Sequence, residues 1–176
     1  MRHWKGAVAV AWTVWVLLLG SPGTSRGDDS CEAGDPPAQV DKIVVIKSQR
    51  TMMLLRDGEV LKKYKVNLGK NPNGHKVRQG DHRTPEGYYV IDGKVPDSGY
   101  HLALRISYPD PIDVEYARTN GWKPGGNIMI HGLPNGVNNK YRMYPDWTRG
   151  CIAVSNEEME EIWNLIPEGT PIEIKP

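Results

Sequence analysis

The sequence predicts a mainly β domain with one principal helix near its C-terminal end. Three observations carry that reading. Short apolar, β-branched runs recur from Ile43 onward. Asp57-Gly58 stands between two of them as a hairpin turn. The clearest helical period in the chain lies at 155–166.

Taken in order, residues 28–39 are rich in Pro, Gly and Asp and read as a flexible lead-in. Residues 43–46 are a short apolar strand. Residues 51–55 and 59–68 flank Asp57-Gly58, with Val60, Lys62, Tyr64, Val66 and Leu68 on one face of the second arm. The stretch 69–87 is long and turn-rich, and a loop of that length in a compact domain is either functional or disordered. Further strands are expected at 88–91, 101–108 and 127–130, the last delivering His131-Gly132 at its end, and a closing strand at 172–174. In the helix, Ser155 and Glu158 have the spacing of a capping box. Met159, Ile162, Trp163 and Ile166 form one apolar stripe, which is core packing. Pro167 and Gly169 end it.

The N-terminus is expected to lie outside this domain. Arg2 and Lys5 precede an uncharged run at 6–20, and Ser21, Pro22, Gly23, Thr24 and Ser25 follow. That order is that of a secretory signal peptide, read here as 1–27. The run is shorter than the ~20 residues a membrane-spanning helix needs, which places an uncleaved anchor second. Asp28, Asp29 and Ser30 argue against lipoprotein processing at Cys31. The chain left after cleavage behind Gly27, 28–176, is long enough for one substantial core, placed in 40–176. Export places both cysteines in a disulfide-permissive compartment. The 176 residues are 39% apolar and 24% charged, with a formal net charge of +1. That balance points away from a nucleic-acid partner and from a disordered charged tail. No integral membrane domain is expected after signal cleavage.

The chemistry concentrates between His131 and Ser155. Cys151 lies in Thr148-Arg149-Gly150-Cys151-Ile152, four residues before the helix cap. A thiol near a helix start, beside Arg149, is placed to be held as thiolate. His131, at a strand end, is a candidate general base. Gly150 would leave the Cys151 N–H free for an oxyanion, and Gly132 would let backbone approach a substrate. Two structural readings stand beside this one: a lone buried thiol, and a Cys31–Cys151 disulfide.

The surrounding blocks resemble the L,D-transpeptidase catalytic domain (YkuD-domain) family. Ile128-Met129-Ile130-His131-Gly132 matches the family's strand ending in His-Gly, and Thr148-Arg149-Gly150-Cys151-Ile152 its Ser/Thr-His-Gly-Cys segment. Residues 66–70 (VNLGK), 84–88 (TPEGY) and 105–109 (RISYP) resemble earlier blocks. The likeness runs from about Val40 to Ile174 and implies a β-sandwich catalytic domain with its principal helix after the cysteine. It implies a Cys151 nucleophile, a His131 acid/base and an oxyanion-hole turn at Gly150, acting on peptidoglycan stem peptides with no metal or cofactor. Cys151 would attack the L-centre carbonyl of the diamino acid, D-alanine would leave, and the thioester would pass to an amine acceptor or to water. An L,D-carboxypeptidase, an amidase freeing wall-linked protein and a non-catalytic peptidoglycan-binding module are the alternatives. Such a protein would be exported, to the periplasm or cell wall.

Arg149 departs from the family's usual His and Ala153 from its usual Asn or Arg. Arginine stays protonated and cannot act as base, so that duty falls on His131 alone. Arg149 would lower the thiol pKa or hold a substrate carboxylate. Thr148, Arg149, Gly132, Trp147 and Tyr108 are the candidate substrate contacts; core or loop packing is the other reading of Trp147, Tyr144 and Tyr108. His75, His82 and His101 fit no zinc spacing and read as loop or surface residues. Lys62, Lys63 and Lys65 read as a solvated strand face.

Overall fold

A computed structural model describes residues 39–137 and 145–176. The signal-peptide reading, most of the lead-in, Cys31 and Tyr144 fall outside the described residues. β1 (Lys42–Ile46) buries Ile43, Val44 and Val45. A 3-10 turn (Lys47–Gln49) leads into β2 (Thr51–Arg56), and β3 (Glu59–Lys65) returns antiparallel to it. Asp57 and Gly58 have φ of 53° and 83°, the positive-φ pair that a tight hairpin requires. β4 (Gly87–Ser98) and β5 (His101–Ile106) pair antiparallel. Then come α1 (Pro111–Thr119), β6 (Met129–His131), β7 (Ile152–Ala153), α2 (Asn156–Leu165) and β8 (Pro171–Lys175).

The strands form one mixed sheet in the order β3-β2-β1-β8-β4-β5-β6-β7. β1–β8 and β6–β7 are parallel pairs; the others are antiparallel. The fold is mostly β, as the sequence predicts. β4 serves two ladders: its residues 87–90 pair with β8, and from Ile91 onward it pairs with β5. Asn67, just past β3, bridges to Ala153 in β7, so the far ends of the strand order meet. One apolar cluster lies within, drawing Ile43 from β1, Leu54 from β2, Leu104 from β5, Ile130 from β6 and Ile152 from β7.

α2 packs against β5 with the expected stripe. Met159, Ile162 and Ile166 are fully buried, and Trp163 packs at the edge of the core. Ser155 Oγ accepts from the Glu158 N–H while Glu158 accepts from the Ser155 N–H, completing the capping box.

Three elements depart from the sequence reading. α1 is a second helix, where one was expected. Its apolar Ile112, Val114 and Tyr116 are exposed while Asp113 and Ala117 are buried, so it shows no apolar stripe. Only its ends announce it: Asp110 and Asp113 form a capping box and Pro111 takes the first helical position. β4 runs to Ser98, past Gly93 and Pro96, because register shifts there accommodate both residues. β7 is a two-residue strand, too short for any periodicity to mark it.

Candidate active site

The stretch from Gly69 to Gly87 is an ordered loop pinned by buried charge. Lys47, 2% exposed, donates to the Gly74 and Thr84 carbonyls at 2.7 and 2.9 Å and to Glu86 at 2.8 Å. Asp81 accepts from Lys76 at 2.7 Å and from the N–H groups of Val77, Arg78 and Arg83. His75 Nδ1 accepts the Glu86 N–H at 3.0 Å, so its Nε2 carries the proton toward Asp113, 2.8 Å away. These contacts carry the polar load of a loop without a strand partner.

The cysteine turn is built on this loop. Asn67 and Ala153 exchange backbone hydrogen bonds of 2.9 and 2.8 Å. Thr148 N–H donates to Leu68 and Lys70 N–H to the Thr148 carbonyl. Asp146 accepts from Nη2 and Nε of Arg50, at 2.7 and 3.1 Å, and from the Leu68 N–H. The buried Thr148 hydroxyl accepts the Gly150 N–H and donates to the Cys151 carbonyl at 2.7 Å, so its polar capacity serves the turn. Gly150 has φ 131°, and a Cβ there would lie 2.6 Å from the Arg83 carbonyl oxygen. Glycine is required at this position by the loop that passes behind it. Gly132 is likewise a packing position: a Cβ would lie 2.6 Å from Asn156 Oδ1, which accepts the Leu133 N–H.

β6 and β7 pair in parallel register, with Ile130 opposite Ile152 and His131 opposite Ala153. By alternation, Cys151 and His131 project from the same face while Ile130 and Ile152 enter the core. His131 is 3% exposed. Its Nδ1 lies 2.7 Å from the Gly132 carbonyl, which can only accept. The proton therefore sits on Nδ1, and Nε2 of the neutral ring is the free acceptor. Tyr100 packs on the ring at a centroid distance of 4.4 Å and Trp147 meets it edge-on at 5.8 Å. Burial lowers the His131 pKa, against the Gly132 hydrogen bond, which raises it.

Two cavities meet at Cys151. One, of about 350 Å³, is lined by His131, Tyr100, Trp147 and Lys70 among others. The other, of about 970 Å³, is lined by Lys76, His82, Lys123 and the backbone of Gly125 and Gly126 among others. Asn127, Arg149 and Cys151 border both. Arg149 is exposed and has no acceptor among the described residues. Tyr108 is 4% exposed, and its hydroxyl donates to the Pro124 carbonyl at 3.1 Å beneath the larger cavity, which it does not line. His101 pairs with Glu160 at 2.9 Å, away from both cavities.

The thiol does not have the surroundings expected from its position before a helix. Burial raises the Cys151 pKa; a Met129 backbone hydrogen bond and the charge of Lys76 pull it back only in part. The α2 N-terminus is occupied by its own capping box and lies beyond β7. Lys76 places positive charge toward the sulfur. Burial thus disfavours the charged form of both groups, and the thiol donates to the Asn127 carbonyl at 3.6 Å. Tyr100, Lys76, Asp81 and Asp146 are the residues of this site that sequence reading missed. Of these, only Asp81 stands within a block-like stretch (GDHRTPEG), and nothing in its spacing signals the Lys76 partner.

The L,D-transpeptidase catalytic domain model (YkuD) matches residues 41–174, spanning both ends of the sheet and every element of the site. The chain belongs to that family. A putative L,D-transpeptidase, YafK of Escherichia coli K12, is 32% identical over 130 residues, covering 70% of this chain and 46% of the relative. The solved structure of a mutant of Pgp2, a helical cell shape determining protein from Campylobacter jejuni, is similar at 25% identity with TM-score 0.61, covering 80% of this chain and 49% of that one. Bdellovibrio bacteriovorus Bd1075 is similar at 28% identity and TM-score 0.55, over 80% and 49%. The chain thus spans about half the length of these relatives.

Proposed function

We propose that the protein is an exported cysteine acyltransferase acting on peptidoglycan stem peptides, with residues 40–176 as its catalytic domain. The observation that carries this reading is the His131 tautomer. With Nδ1–H spent on Gly132, Nε2 is the basic nitrogen left on a ring that borders the cavity Cys151 shares. Cys151 gives its proton to Nε2 as Sγ attacks the L-centre carbonyl of the diamino acid. The Cys151 N–H stabilises the oxyanion; the Gly150 N–H is already committed to Thr148. The imidazolium returns its proton to the departing D-alanine amine. The thioester then passes to an amine acceptor, or to water in a hydrolase.

The family match supports this chemistry, as does burial, which disfavours the charged forms of both groups before the reaction begins. The test is incubation of the purified protein with a stem tetrapeptide, with and without an added D-amino acid. Release of D-alanine that requires Cys151 is expected. An exchange product marks a transferase and tripeptide alone a carboxypeptidase. Binding without turnover, unchanged in Cys151→Ala, would replace the reading with a non-catalytic module.

A further inference from the structure

The larger cavity at Cys151 has a charge pattern that the acyl-transfer chemistry does not use. Lys76, Lys123 and Arg149 line it, and no carboxylate does among the described residues. Lys76 is buried, and two of its three N–H donors are taken by Asp81 and the Arg78 carbonyl. His82 also lines the cavity, and its Nδ1 is buried with no hydrogen-bond partner. Lys123 and Arg149 are exposed and unpaired among the described residues. The two walls are joined. Gln79 N–H donates to the Lys123 carbonyl at 2.7 Å, and Gly125 lies against Gln79 so closely that a Cβ would come within 3.2 Å of its Cα. Asp81 balances the charge of Lys76, so the unpaired charge around this pocket is that of Lys123 and Arg149, two cations suited to an anion.

We propose that this cavity binds a carboxylate of the acyl-donor peptide, with Arg149 and Lys123 as its ion-pairing partners. The assignment rests on the stem-peptide reading above. Two carboxylates flank the scissile bond in such a donor: the α-carboxylate of the departing residue, and one ending the side chain of the diamino acid. A guanidinium holds either through paired N–H donors, which a histidine at position 149 would not offer. Arg149 borders both cavities, so it reaches a carboxylate on either side of the sulfur.

The experiment compares two alkylating agents of similar size on the full chain. Cys151 is treated at one pH with iodoacetate, an anion, and with iodoacetamide, its neutral counterpart. Modification is followed by peptide mass, which separates Cys151 from Cys31. The ratio of the two rates is measured in the parent, in Arg149→Gln and in Lys123→Gln. Both side chains are exposed, so neither change opens the core. The iodoacetate-to-iodoacetamide ratio is expected to fall about tenfold in Arg149→Gln and less in Lys123→Gln, as befits loss of a charge-assisted pair. In parallel, tetrapeptides carrying a carboxamide at the diamino acid side chain, or at the terminal residue, are assayed for turnover. The carboxamide that lowers kcat/KM in the parent, but not in Arg149→Gln, identifies the carboxylate that is bound. An unchanged alkylation ratio in both variants overturns the carboxylate site, and leaves the acyltransferase reading intact if peptides are still cleaved. A ratio that falls as expected, with no peptide cleaved, keeps the anion site and removes the stem-peptide reading instead.

Discussion

The two walls on either side of Cys151 are held by different physics. The wall carrying His131 is a strand end. Its backbone is satisfied by the β5 and β7 ladders, and its free face is aromatic, with Tyr100 and Trp147. The opposite wall, between Gly69 and Gly87, has no ladder. Its backbone is satisfied by side chains turned inward, chiefly Lys47 and Asp81. A regular element can thus spend its face on excluding water from a reacting ring. An irregular one must bury charge to hold its shape, and that charge then acts on whatever lies beside it. Here it is Lys76 that acts on the thiol.

The comparison is broken most completely from the aromatic side. His131→Ala is expected to lower D-alanine release by about 10²–10⁴-fold, the usual worth of a positioned general acid/base, in steady-state assays on a tetrapeptide. An effect below tenfold would move the proton transfer elsewhere. The charged wall is broken by Lys47→Met. That change strands Glu86 and the buried Thr84 carbonyl, and it is expected to destabilise the fold by about 3–5 kcal/mol in urea unfolding. Glu86→Gln keeps an acceptor for Lys47, so its loss should be clearly smaller.

Gly150→Ala tests whether the walls meet where the structure joins them. The added methyl meets the Arg83 carbonyl at a φ that disfavours a side chain, at a cost of about 1–3 kcal/mol for the backbone alone. Stability and Cys151 alkylation should fall together. A stable, fully reactive variant would mean that the loop does not shape the turn.

The subtlest effect is on pH. Burial holds the His131 pKa below its ordinary value. The acid limb of kcat/KM, where imidazolium can no longer take the thiol proton, is therefore expected below about pH 6.5. Trp147→Ala admits water beside the ring and should move that limb upward. Burial raises the Cys151 pKa, so iodoacetamide alkylation should have its midpoint above the ordinary thiol value of about 8.5. A midpoint below it would restore the thiolate expected from the sequence.

Much of the fold was legible. β1, the Asp-Gly hairpin and α2 with its capping box each declare themselves within a dozen residues. α1 did not, because its buried residues are Asp113 and Ala117 and its apolar ones face solvent. The end of β4 did not, because Gly93 and Pro96 sit at register shifts that only the β5 partner explains. In the candidate site, motif order singled out Cys151 and His131, and the structure sets both against one cavity. Tyr100 was not, since nothing nearby in sequence places its ring on a histidine thirty-one positions away.

By itself the sequence determined the local devices of this protein: the positive-φ turn at Asp57-Gly58, the cap at Ser155, the apolar stripe of α2, and the order of blocks that places the chain in its family. Periodicity, turn chemistry and capping act over a few residues, so they are written where they operate. The tertiary structure decided the state of the reacting pair. Burial raised the Cys151 pKa, a backbone carbonyl chose the tautomer of His131, and a loop carbonyl made Gly150 obligatory. Desolvation and close approach depend on atoms brought together from distant parts of the chain, and no spacing within the sequence encodes how deep a side chain will lie.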